Sequence, residues 1–169
     1  MKAKLIVGLA AFAVTALTIA AIDAVSTLTL IKPAPEVRFT ALSGETFSTS
    51  ELRGKVVLVN FWGSYCAPCV KEMPKIVAAH EKFAPRGYET VAIAVRHDNP
   101  QRVVEFAASH ALPFKVALDS SGALAKEFGN VRITPTSFLI DKRGRVLRRY
   151  VGEHDWAAFH ELVERELRS

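Results

Sequence analysis

The two cysteines of the chain, Cys66 and Cys69, are separated by two residues. The apolar, β-branched run Val56–Val59 precedes them and indicates a strand that is buried on both faces. Helix-compatible residues follow, so the pair is expected on the first turn of a helix. Free N–H groups and the positive end of the helix dipole stabilise a thiolate there. Cysteines in such places have pKa values between about 3.5 and 7.5, below the usual value of about 8.5.

The spacing of the pair favours a reversible disulfide. Residues three apart on a helix have Cβ atoms about 5–6 Å apart, and a disulfide needs about 3.5–4.5 Å. Cys66 is predicted to be the exposed nucleophile, and Cys69, one turn deeper, to resolve the mixed disulfide. A static bridge is the first alternative, but one that closes so small a loop stabilises little. A zinc site is the second, but none of the five histidines has the spacing of a partner ligand, so no metal is expected.

The segment from Trp62 to Pro74 reads W-G-S-Y-C-A-P-C-V-K-E-M-P. It resembles the active-site segment of thioredoxin-like proteins, and the Lys-Glu-Met-Pro after Cys69 is similar to that of the TlpA/ResA-like thiol–disulfide oxidoreductases. The resemblance implies an α/β fold, with a thioredoxin-like mixed sheet flanked by helices. It also implies an N-terminal hairpin extension, a central strand–helix insertion, and no cofactor other than the redox-active disulfide Cys66–Cys69.

A second motif, Ile133-Thr134-Pro135, opens a predicted strand. The resemblance implies that Pro135 is a cis-proline packed against the cysteines. The carbonyl and N–H of Thr134 would then be free to pair with an extended substrate segment. Tyr65 replaces the tryptophan that is usual before the first cysteine and still offers an apolar docking face. Substrate contacts are therefore expected at Tyr65, Thr134 and Pro135.

The chain departs from the family pattern where a proton acceptor for Cys69 is expected. Thioredoxins have a buried aspartate at the position of Asn60, some relatives have a glutamate at that of Ala67, and neither residue here accepts a proton at neutral pH. Glu72, three residues beyond Cys69, is the candidate for proton transfer, although glutamates are more often solvated. His97 follows the second predicted parallel strand, at the same sheet edge, and is a further candidate.

The N-terminal segment is unlike the rest of the chain. Lys2 and Lys4 precede the uncharged run Leu5–Ile22, which is long enough to span a bilayer. Residues 1–23 are predicted to be a membrane anchor, with a cleaved signal peptide as the alternative. Residues 24–36 are predicted to be a linker and residues 37–169 the thioredoxin-like domain. The N-terminal lysines predict an inner-membrane anchor with the domain facing the periplasm, or an exported domain if the segment is cleaved.

The expected partners follow from the resemblance. It implies reduction of a disulfide-containing protein such as apocytochrome c, with re-reduction by a membrane thiol electron donor. An oxidase or isomerase that uses the same cysteines is the alternative enzyme, and a copper metallochaperone with Cys66, Cys69 and His97 as ligands is the alternative of another class. Nucleic-acid binding is not expected, because the net charge of +5 is modest and the one dense basic group is interpreted as a solvated face. That group consists of Arg143, Arg145, Arg148 and Arg149.

Overall fold

The computed structural model describes residues 32–169. It begins with a small antiparallel sheet of two strands, β1 (Arg38–Thr40) and β2 (Thr46–Ser48). The main sheet has five further strands, which are β3 (Val56–Trp62), β4 (Tyr88–Ala94), β5 (Lys115–Leu118), β6 (Thr136–Ile140) and β7 (Val146–Val151). Their spatial order is β5-β4-β3-β6-β7. Strands β3, β4 and β5 are parallel to one another. Strand β6 pairs antiparallel with β3, and β7 pairs antiparallel with β6.

Three of the α-helices in the described residues lie between strands in chain order, and the fourth follows the last strand. They are α1 (Ala67–Phe83), α2 (Pro100–Ser109), α3 (Ala123–Glu127) and α4 (Trp156–Arg168), with 3-10 turns at Ser50–Leu52 and Ala84–Arg86. The predicted thioredoxin-like mixed sheet flanked by helices is confirmed. So are the N-terminal hairpin, which is β1–β2, and the central strand–helix insertion, which is β5 and α3.

Strand β3 holds the site in place because it is the central strand and all of its residues are buried. Alternate side chains point to opposite faces of a strand. Leu58 and Trp62 belong to a core with Ile76 of α1 and Phe159 of α4, while Val59 belongs to the core on the other face. The second core includes Phe39, Phe47, Phe61, Phe128 and Phe138. A strand fixed from both sides gives the residues that follow it a rigid starting point.

The described part of the chain is already attached to the sheet at Ala34, within the predicted linker. The Ala34 N–H donates to the carbonyl of Gly144, in the turn between β6 and β7, at 2.8 Å. Within residues 32–169, no helix is long and apolar enough to cross a membrane. The predicted anchor at residues 1–23 lies outside the described residues.

Candidate active site

The cysteine pair lies just beyond the end of β3, at the edge where the parallel strands end. Side chains of the loop after β4 brace the turn that joins β3 to α1. The Asp98 carboxylate accepts hydrogen bonds from the Ser64 backbone N–H and from the Ser64 hydroxyl, the latter at 2.6 Å. Asp98 thus ties the neighbouring loop to the residues directly before the motif.

Cys66 is the N-cap residue of α1, with extended backbone angles. Its Sγ accepts the Cys69 backbone N–H at 3.4 Å, so the sulfur occupies the position of an ordinary capping oxygen. Pro68 lies in the first turn, where its missing N–H costs no helical bond. The predicted helix start is confirmed, and it places Cys66 where the helix N-terminus favours a negative sulfur.

Cys66 and Cys69 form a disulfide with a Cα–Cα distance of 5.2 Å. Both cysteines are buried, Cys66 at 9% exposure and Cys69 at 2%, so Cys66 is less exposed than predicted, although the order of the two is the predicted one. Cys69 belongs to the core beneath the sheet edge, together with Trp62 and Met73. Of the two cysteines, Cys66 is therefore the more exposed residue.

The Thr134–Pro135 peptide is cis, as the resemblance implied, and it lies against the cysteines. The Thr134 carbonyl oxygen is 3.6 Å from Cys66 Sγ. Pro135 is buried, whereas Thr134 is half-buried and Ile133 is 61% exposed. Among the described residues, the Thr134 N–H has no hydrogen-bond acceptor. A free backbone edge therefore lies directly beside the more exposed sulfur.

Tyr65 directly precedes Cys66 in the chain and is 57% exposed. Its ring lies over Gly63, where an added Cβ would come within 3.0 Å of a ring carbon. A side chain at position 63 would displace the ring. Glycine at position 63 therefore leaves room for the exposed Tyr65 ring, which suits the predicted apolar docking face.

Glu72 is buried rather than solvated, contrary to the more common environment of this residue type. Its side chain is 1% exposed, and its Oε1 pairs with Nδ1 of His154, whose side chain is completely buried. The backbone N–H of His154 also donates to the same oxygen, at 3.2 Å. The other carboxylate oxygen, Oε2, has no protein partner within residues 32–169. The carboxyl group is therefore fixed, one turn beyond Cys69, with one oxygen unused.

His154 was not singled out from the sequence, and no local pattern points to it. It lies 82 residues from Glu72 along the chain, between β7 and α4. Aromatic rings surround it, with centroid distances of 4.4 Å to Tyr150, 4.8 Å to Trp156 and 5.4 Å to Phe159. Burial also raises the pKa of Tyr150. Only the folded arrangement brings the histidine to the active-site helix.

Asn60 lies on β3 and is 1% exposed. Its Nδ2 donates to the Ser137 hydroxyl of β6 at 2.8 Å, and its Oδ1 has no protein partner in the described part of the chain. The amide therefore stabilises the contact between two central strands. It adds no proton acceptor below the cysteines.

His97 lies at the same sheet edge as Tyr65, as predicted, since both line one groove. Its Nε2 accepts a hydrogen bond from Arg96 Nε at 3.1 Å. Over residues 32–169, no three His, Cys, Asp or Glu side chains are grouped so that they could hold a metal ion. Cys66, Cys69 and His97, the ligands of the copper alternative, do not form such a group.

A thioredoxin-like sheet that presents a Cys-x-x-C disulfide at the start of a helix, beside a cis-proline, defines a thiol–disulfide oxidoreductase. Comparison with known proteins agrees, since the redoxin family model matches residues 31–164. The chain belongs to this family and is a ResA-like member of it.

Three similar proteins illustrate the relationship. Thiol-disulfide oxidoreductase ResA of Bacillus thuringiensis subsp. konkukian is 35% identical over 134 residues, which are 79% of this chain and 76% of that protein. The solution structure of a putative thioredoxin from Neisseria meningitidis has a TM-score of 0.76 and 34% identity, over 82% of this chain and 92% of the other. The crystal structure of a thioredoxin-family thiol:disulfide interchange protein from Chlorobium tepidum has a TM-score of 0.73 and 31% identity, over 81% of this chain and 97% of the other.

Proposed function

We propose that the protein is a membrane-tethered, extracytoplasmic reductase. Its substrates would be disulfides in exported proteins such as apocytochrome c. The observation that carries the catalytic part is the placement of Cys66, which caps α1 with its Sγ 3.6 Å from the Thr134 carbonyl. The uncharged run Leu5–Ile22 behind Lys2 and Lys4 supports the tether and the export.

In the proposed reaction, the Cys66 thiolate attacks one sulfur of the substrate disulfide. The substrate S–S bond breaks, a mixed disulfide forms, and the departing substrate thiolate takes up a proton. Cys69 then loses its proton and attacks the Cys66 sulfur, which releases the second substrate thiolate. The substrate gains two electrons, and Cys66–Cys69 becomes the disulfide that the structure contains. A thiol donor at the membrane reduces that disulfide again.

Tyr65, Thr134 and Pro135 are proposed to hold the substrate during the attack. The open N–H and carbonyl of Thr134 suit pairing with an extended segment. The exposed ring of Tyr65, the residue before Cys66, supplies an apolar surface that lines the same groove as Thr134. Together they would align a sulfur of the substrate with Cys66 Sγ.

Glu72 is proposed to accept the Cys69 proton. It follows Cys69 by three residues on α1, a spacing at which helical side chains are neighbours. Its Oε2 is buried without a protein partner in the described residues. The bond from Oε1 to His154 would keep the carboxyl in place while Oε2 receives the proton.

Trapping tests the proposal directly. The full chain carrying Cys69→Ser should accumulate a mixed disulfide between Cys66 and an exported protein, identifiable by mass spectrometry, while Cys66→Ser should not. Trapping by Cys66→Ser alone would reverse the assigned roles. The reduction potential decides the direction of electron flow, because a value near about −270 mV suits a reductant and one near about −120 mV an oxidant.

A further inference from the structure

An open groove lies beside Cys66, and most of the side chains that line it have no part in the proposed exchange reaction. Its volume is about 370 Å³, within the range of about 300–1,000 Å³ typical of ligand pockets. Tyr65 and Thr134 line it, and these residues flank Cys66. A segment bound at Thr134 would therefore extend into this groove.

Three positively charged side chains from different parts of the chain converge on the groove. Arg96 follows β4, Lys126 is on α3, and Arg132 lies between α3 and β6, and all three are exposed. Within residues 32–169, none of them has a carboxylate oxygen within 4.0 Å. By contrast, a glutamate is paired with each of Lys55, Lys71, Lys82 and Lys115.

One carboxylate, that of Asp119, lies among the described lining residues, but both of its oxygens already accept backbone hydrogen bonds. Asp119 is 2% exposed. Its two oxygens accept the N–H groups of Leu124 at 3.0 Å and Ala125 at 2.8 Å, at the start of α3. It offsets one of the three cations, so the groove stays net positive.

Contacts with His97 and Gly122 hold the Arg96 side chain over this surface. Its Nε donates to His97 Nε2, and its alkyl chain passes Gly122 so closely that an added Cβ would lie 2.9 Å from Arg96 Cδ. Gly122 also has a φ of +78°, a conformation that side chains disfavour. The guanidinium is thus positioned by its hydrogen bond to His97 and by packing of the alkyl chain against Gly122.

We propose that this groove selects protein disulfides that are flanked by acidic residues. The substrate segment would lie on Thr134 with its carboxylates towards Arg96, Lys126 and Arg132. The inference rests on the proposed function, because it concerns which disulfides reach Cys66. Complementary charge raises association rates by about 10–10³-fold, and salt screens the effect.

The test compares three peptides that contain the same disulfide and differ only in their flanking residues, which are Glu, Gln or Lys. In a single turnover, the reduced full chain should reduce the Glu peptide with a second-order rate constant at least about tenfold above that for the Lys peptide at low ionic strength. The ratio should approach one in high salt. The double variant K126E/R132E should lose or invert the preference. R143E/R148E, the same change of four charge units at two exposed arginines that do not line the groove, should keep it.

Reduction of the neutral probe 2-hydroxyethyl disulfide separates the possible failures. If the chain reduces this probe but treats the three peptides alike, or if K126E/R132E keeps the wild-type preference, the charge selection is wrong while the proposed function stands. If neither the probe nor any peptide is reduced, the proposed function fails, and the inference fails with it.

Discussion

Glu72 of α1 and His154 of the β7–α4 loop form a fully buried pair beside the redox site. Next to it, and between the same two elements, Lys71 and Glu153 form an exposed ion pair at 2.9 Å. The residues of the two pairs are adjacent in the chain, so substitutions in one pair can serve as controls for substitutions in the other. The inner one is shielded from water, whereas solvent reaches the outer one freely.

Breaking the inner pair should strongly destabilise the protein. His154→Ala would leave the buried Glu72 carboxyl without its main partner, and losing one partner of a buried pair costs about 3–5 kcal/mol. Urea unfolding of the oxidised protein measures this difference. Glu153→Ala is the matched control and should change stability little, because exposed pairs contribute little. Equal effects of the two substitutions would show that the Glu72–His154 contact has no special weight.

The proposed proton transfer predicts a defect in the second half of the reaction. In Glu72→Gln the carboxyl is gone but the shape is kept, so release of the reduced product should slow by about 100-fold. Rapid acid quenching should then show the mixed disulfide at Cys66 accumulating, while its rate of formation stays close to that of the wild type. Glu153→Gln serves as the control. If release is unaffected in Glu72→Gln, the acceptor of the Cys69 proton lies elsewhere.

His80 should make stability depend on pH below neutrality. Burial lowers its pKa from 6.5, and its Nδ1 lies 3.2 Å from the Thr90 hydroxyl. The unfolded chain therefore binds a proton at this histidine before the folded one does, and the free energy of unfolding falls as the pH drops from about 6.5 towards the lowered pKa. Burial lowers the pKa of His160 as well, so its contribution has the same sign.

Urea unfolding at a series of pH values tests this dependence. His80→Gln should flatten the decline in stability below pH 6.5, and adding His160→Gln should flatten it further. His110→Gln, at an exposed position, is the control. A decline as steep in the double variant as in the wild type would assign the pH dependence to other groups.

Helix α4 should depend on one aromatic anchor. Phe159 is completely buried, and its ring contacts those of Tyr150, His154 and Trp156. Phe159→Ala should cost about 3–5 kcal/mol because it leaves a cavity in the core. Val104→Ala, at a residue 48% exposed on α2, should change the free energy of unfolding by less than about 0.5 kcal/mol. A loss near 1 kcal/mol for Phe159→Ala would mean that α4 repacks around the gap.

The sequence was informative where local pattern determines structure. The apolar run at Val56 predicted the buried strand, and the Cys66–Cys69 pair with the residues that follow it predicted the helix start. The cis peptide at Thr134–Pro135 was predicted only through the family resemblance, because about 5–6% of X-Pro bonds in folded proteins are cis. Contacts between distant parts of the chain were beyond it. The burial of Glu72 depends on His154, and the brace at Ser64 depends on Asp98, 34 residues away. Neither partner lies at a helical or strand spacing from the residue that it fixes.

The bond between Ala34 and Gly144 has a mechanical consequence. Strand β6 runs opposite to β3, with Val57 beside Ile140 and Phe61 beside Thr136. The turn to which Ala34 is hydrogen-bonded therefore lies at the opposite end of the sheet from Cys66. The two ends are about 20 Å apart for a strand of this length. A force applied at Ala34 would therefore reach the sheet at the end opposite the reactive sulfur.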